Sequence, residues 1–226
     1  MRYNIFNSIH KALKAISYQT ALDIQHTNFV DNDATKNIID KLTQTLALLD
    51  LHIEHEGGYI HPLVEKYNID IDRRFREQHI ESKFLAQRVR LAVDDLKYAA
   101  NQENQIKRGK AVSEAFETVL AFNLTLFNKE EQVMNEILWT NYRDEEIIDV
   151  EQQIIASVPQ DILEFEARWM FRSLNNFEIR EWLQGVKHSA PDYLFQSLIA
   201  MAEMELPARR FEELLHSLSL AGANAY

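Results

Sequence analysis

Between residues 52 and 61 stand three of the chain's eight histidines, His52, His55 and His61, together with Glu54 and Glu56. His52 and Glu56 are four residues apart, so on a helix they lie one turn from each other on the same face. An imidazole and a carboxylate so placed can share one metal ion, or bind two neighbouring ions. Alone, such a pair is more often a solvated surface pair. Its chemistry depends on whether the rest of the chain brings further donors to the same place.

The elements that must position these residues are helical. Ile38, Ile39, Leu42, Leu46 and Leu49 recur every three or four positions, which predicts a helix from about 34 to 66. Asp33 is its expected N-cap. Gly57 and Gly58 conflict with that helix, at roughly 1 kcal/mol each, and mark either a bulge or a close helix approach. A first helix is expected from about 3 to 28 through Ile5, Ile9, Leu13 and Ile16, with His10 in its second turn. Asn68 to Asp72 breaks the pattern. A third helix is expected from about 72 to 103, with Phe75, His79 and Val89, then a polar loop at 104–109 and a fourth helix from about 110 to 140. Four long amphipathic helices with short connections predict an up-down-up-down four-helix bundle over residues 1–143. From 144 to 226 shorter segments punctuated by Pro159, Gly185, Pro191 and Pro207 predict a smaller all-helical C-terminal unit. Its His188 and His216 are read as structural or surface residues.

In such a bundle the first and third helices run parallel. His10 and His79 each lie about seven residues into their helices, hence at similar heights at ~1.5 Å per residue. His52 lies about eighteen residues into the second helix, and the matching depth on the fourth falls near Leu126 to Glu130. Four helices can therefore present His10, His52 with Glu56, His79 and Glu130 to one level of the core. Buried carboxylates are costly unless paired or metal-bound. Oxygen and imidazole donors without sulfur suit iron, manganese or zinc. An internal echo accompanies this: His52-x3-Glu56 can be laid over Leu126-x3-Glu130, the carboxylate recurring and the histidine not.

These residues resemble the hemerythrin-like (HHE cation-binding) family. The likeness lies in Ile9 to Lys14, in His52 to Glu56 with Pro62-Leu63, in Glu77-Gln78-His79, and in Glu130-Glu131 with Leu138-Trp139, and it covers about residues 1–143. The segment from Asp144 onward is similar to C-terminal helical extensions of some bacterial members. The resemblance implies a non-haem di-iron centre with His10, His52 and His79 as nitrogen ligands and Glu56 and Glu130 as bridging carboxylates. The family carries a histidine four residues before the last carboxylate. Leu126 stands there and cannot ligate, which leaves the implied centre one imidazole short. His55 and His61 lie about 60° and about 180° from His52 at 100° per residue, which makes either a poor replacement.

Composition bounds the rest. Five glycines and four prolines in 226 residues fit an all-α chain. A net charge of -11 argues against nucleic-acid or anionic-membrane partners. No cysteine is present, so disulfides, thiolate metal sites and cysteine nucleophiles are excluded. No apolar run reaches the ~18 residues of a membrane helix, and the N-terminus lacks the pattern of a signal peptide, so a cytoplasmic location is expected. No catalytic motif is found, and the expectation is a non-enzyme. The leading expectation is a metal-binding protein that uses iron to bind or sense oxygen, nitric oxide or iron itself. The alternative is a degenerate bundle that has lost full metal binding and acts through protein contacts.

Overall fold

The computed structural model describes residues 2–223, including all their side chains except those of 188, 189 and 220–223. Every regular element among the described residues is helical. None of these helices is long and apolar enough to cross a membrane. The chain divides into two compact units, Met1–Ser157 and Val158–Tyr226.

The first unit opens with α1 (Asn7–His26) and α2 (Asn32–His55). The cap of α2 is Asp31, not Asp33: its backbone is extended, and its carboxylate accepts from the amides of Asp33 and Ala34 at 2.9 and 3.0 Å. A cap needs that non-helical backbone to aim its side chain at the free amides of the first turn. After α2 comes a π turn, Glu56–Ile60, and the helix resumes as α3 (His61–Glu65). Asn68 then caps α4 (Ile69–Lys97) through the Ile71 amide. Asp70 and Asp72, expected in a break, therefore sit in the first helical turn, where carboxylates favour the positive end of the helix dipole.

The expected loop at 104–109 is helix. Asn101 caps α5 (Gln102–Lys129) by accepting from the Asn104 amide at 2.9 Å. Gly109 is buried within α5 because the ring of Phe29 lies against it; a Cβ there would stand 2.3 Å from Phe29 Cγ. A second π turn, Glu130–Met134, follows α5, and α6 (Asn135–Asn141) continues it. Helix α1 packs against α2 and α5, and α4 packs against α5 and α2.

The boundary between the units falls after α7 (Asp144–Ser157), some fourteen residues beyond the expected one near 143. Ile147 is buried in one apolar cluster with Phe6, Val64, Leu126, Met134 and Leu138. Arg2 bonds Asp144, and the Tyr3 hydroxyl bonds Glu151. These contacts tie α7 to the N-terminal segment. The second unit comprises α8 (Gln160–Ser173), α9 (Asn176–Ser189), α10 (Asp192–Glu205) and α11 (Ala208–Ala223). Phe171, Leu174, Ile179, Leu183 and Leu214 form its fully buried centre. His216 is exposed, and the side chain of His188 lies outside the described ones.

Candidate metal centre

The π turns explain how the sequence places its chemistry. An α turn repeats every 3.6 residues, whereas a π turn takes one residue more. His52 lies in α2 and Glu56 opens the first π turn, its amide still bonded to the His52 carbonyl at ordinary i, i+4 spacing, so both face inward. Residue 61, five beyond Glu56, is brought below it on the same side. His61 is fully buried. The rotation of about 180° from His52 expected at 100° per residue does not apply, because the helix is not α throughout. Gly57 and Gly58 belong to this bulge and to no close approach: a Cβ on either would meet nothing within 4 Å. Gly at two of five positions weakens the local preference for α geometry. The second π turn repeats the device. It begins at Glu130 and brings Asn135, also fully buried, to the place corresponding to His61. The echo of 52–56 in 126–130 thus extends into the backbone.

His10, His52, Glu56, His79 and Glu130 are all buried, between 0% and 7% exposed. One ligand atom from each of His10, His52, Glu56 and Glu130 lies within 4.8 Å of the others. His10 Nε2 faces His52 Nε2 at 3.1 Å, and His52 Nε2 stands 3.1 Å from Glu56 Oε1. His79 joins from α4: its Nε2 is 2.9 Å from Glu56 Oε2 and 2.9 Å from Glu130 Oε1. The two glutamates are therefore shared between a His10/His52 side and a His79 side. Phe127 stacks on the His10 ring at 4.5 Å between centroids and meets His52 edge-on, and Phe6 lies 5.1 Å from His10. These rings make an apolar wall around the nitrogens. Leu126, 3% exposed, is buried in the adjoining apolar cluster and contributes no donor.

The carboxylates are incompletely satisfied. Both oxygens of Glu56 and Oε2 of Glu130 are buried without a well-formed hydrogen bond, although imidazole nitrogens stand 2.9 to 3.7 Å from them. Burial pushes the Glu56 carboxyl up, but the His52 charge and the His10, His52 and His79 imidazoles outweigh it and hold it well below the usual range. Burial and the charge of Glu56 push Glu130 up instead. Burial also opposes charge on His79, yet Glu130 and Glu56 more than offset it and raise its pKa to about 9. His10 moves in the same direction, burial being outweighed by Glu131, Glu56 and Glu130. Such a site stores negative charge that draws protons onto imidazoles. A cation is the alternative occupant of the same field.

Three further residues belong to this site that sequence reasoning did not include. Glu131, next to Glu130 and half-buried, accepts from His10 Nδ1 at 3.0 Å and from Lys14 at 2.9 Å. The His10 contact holds its carboxyl down at about 2. Asp72, 3% exposed, lies 2.6 Å from His61 Nδ1. His61 Nε2 in turn lies 3.2 Å from His79 Nδ1. The glycine pair was the available signal for His61.

No protein-family model matches the chain, and no solved structure matches it. It is similar to the F-box/LRR-repeat protein 5 of Mus musculus and to that of Bos taurus, each 23% identical over 158 residues. The alignment covers 68% of this chain and 21% of each relative, so the likeness concerns about a fifth of those longer proteins.

Proposed function

We propose that the first unit is an up-down-up-down four-helix bundle of the hemerythrin-like kind, holding non-haem iron between His10, His52, Glu56, His79 and Glu130. The observation that carries this reading is the set of orphaned carboxylate oxygens, on two glutamates at 1% and 0% exposure, amid imidazole nitrogens. A buried acceptor without a partner costs about 1–3 kcal/mol, more when charged. A cation bonded to these oxygens removes that cost. The donors fit: imidazole and carboxylate without sulfur suit iron, manganese or zinc. His10 and His52 would hold one position and His79 the other, with Glu56 and Glu130 between them. When bound, the ion supplies a Lewis-acidic position open to a small ligand such as oxygen or nitric oxide. The chain's own part is to exclude water with Phe6, Phe127 and Leu126, and to fix the ring nitrogens. The role is binding or sensing rather than catalysis.

Leu126 favours a second reading, a bundle that has lost full metal binding and acts through protein contacts. Elemental analysis of the full chain purified without chelators separates the two. Iron above trace, removed by a chelator and restored on addition, is expected. A chain that remains free of iron, manganese and zinc after anaerobic reconstitution would overturn the metal reading.

A further inference from the structure

His61 is a buried imidazole facing a ligand histidine, and the simplest guess makes it the missing fourth nitrogen donor. The hydrogen-bond directions say otherwise. Asp72 is an acceptor only, and its Oδ1 lies 2.6 Å from His61 Nδ1. Its second oxygen accepts from Arg76 Nε at 2.7 Å. His61 Nδ1 therefore carries a proton. Neutral His61 then has its lone pair on Nε2, which lies 3.2 Å from His79 Nδ1. His79 must donate there, and its remaining nitrogen, Nε2, is the one held 2.9 Å from both Glu56 and Glu130.

We propose that Asp72 and His61 are positioning residues that fix His79 in the tautomer protonated on Nδ1, so that Nε2 is the atom presented to the cation, while His61 itself binds none. This rests on the metal reading above. Ligand histidines ordinarily donate their second N–H to a carboxylate, carbonyl or water, which fixes the tautomer and raises ligand basicity. On the opposite side of the centre His10 does this in one link, Nδ1 to Glu131. On the His79 side the carboxylate is one imidazole further away, so less negative charge reaches the ligand. The first π turn makes the longer link, since it turns His61 inward beneath Glu56.

Zinc, which is diamagnetic, is the probe. It is titrated into the full native chain, His61→Phe and Asp72→Asn, and the imidazoles are followed by long-range proton–nitrogen spectra. In zinc-loaded native protein His79 should be protonated on Nδ1 and zinc-bound through Nε2. His61 should be protonated on Nδ1 with Nε2 free of metal. Zinc affinity should fall about 10–100-fold in His61→Phe. Asp72→Asn, nearly isosteric, should show a smaller loss together with a shifted His79 signal; its melting is measured beside that of the native chain, because the Arg76 pair and the first-turn charge go with the carboxylate. A zinc-bound Nε2 on His61 would overturn the relay and make His61 a ligand. Native zinc affinity and an unchanged His79 tautomer in both variants would overturn it as well, leaving metal binding intact. A native chain that takes up no zinc overturns the metal reading and this inference with it.

Discussion

The two units bury different things. In the first, His10, His52, Glu56, His61, Asp72, His79 and Glu130 are all under 9% exposed. In the second, among the described residues, the buried set is apolar throughout, centred on Phe171, Ile179 and Leu183. Helices of comparable composition can thus close on a dry core or on a charged one. Some buried polar groups of the first unit satisfy each other and need no further account: Thr20 bonds Thr45 at 2.9 Å, and Ser82 bonds Asn123 at 2.9 Å. Glu56 and Glu130 do not. Stability alone would favour apolar groups at their positions, so the contrast between units is what marks function in the first.

The sharpest break in that contrast is Glu56→Ala. The carboxylate lies beside the nitrogens of His52 and His79, and its loss should abolish metal uptake, taking metal per chain to background by elemental analysis. The fold should persist, because the apolar face of α2 through Leu42, Leu46 and Leu49 carries most of its stability. Native metal content in the variant would remove Glu56 from the ligand set. The converse test is Phe171→Ala in the apolar unit. Deleting a fully buried ring should cost about 3–5 kcal/mol and lower the unfolding transition of residues 158–223, read by hydrogen exchange. Metal uptake should stay at the native level.

Leu126→His tests where the two kinds of interior meet. Residue 126 lies one turn before Glu130 and is buried. On the proposed metal reading, without an imidazole there and with His61 as a relay, the His79 side of the centre would have one nitrogen ligand and the shared carboxylates. The native chain should bind fewer than two irons, and the variant should bind more. The metal-free variant should lose roughly 1.5–3 kcal/mol of apolar burial. Two irons in the native chain would refute the reading of Leu126 as a lost ligand.

What the sequence shows and hides follows from backbone period. Regular apolar spacing makes the long helices legible, and i, i+4 spacing makes His52 with Glu56 legible. Equal depth on expected parallel helices points to His10 and His79, and all five expected donors lie in one buried place. His61 escapes the same reasoning because a phase of 100° per residue does not hold across the π turn at Glu56–Ile60. Asp72 escapes because a polar run reads as a break until Asn68 is known to cap it. Glu131 reads as a solvated face beside Glu130, and only the proximity of α1 gives it His10 as a partner. The boundary after α7 depends on contacts with Arg2 and Tyr3, nearly 150 residues away in the chain.

The glycine pair offers a finer test. Since a Cβ fits at Gly57 and Gly58, Gly57→Ala and Gly58→Ala should each stabilise the metal-free chain by up to about 1 kcal/mol, measured by urea unfolding. Metal content should hold as long as the π turn does. A gain in stability with a loss of metal would mean that alanine has restored α geometry and turned His61 away.

The smallest effect belongs to a carboxylate of the apolar unit. Glu166 on α8 is partly buried, and that burial pushes its carboxyl up to about 7 from an ordinary 4.5. Below pH 4.5 it is protonated in both folded and unfolded chains, and its contribution to stability is fully present. As pH rises from 4.5 towards 7, the unfolded chain ionises while the folded one resists, so the contribution is lost through that window. Part of the side chain still reaches water, which reduces the cost to about 1 kcal/mol. Glu166→Gln cannot ionise. It should match the native chain near pH 4.5 and exceed it by about that amount at pH 8. Measuring the difference between the two chains cancels every titration they share, including those of the histidines and glutamates in the first unit. A difference that stays flat from pH 4.5 to 8 would show that Glu166 ionises freely in the folded chain.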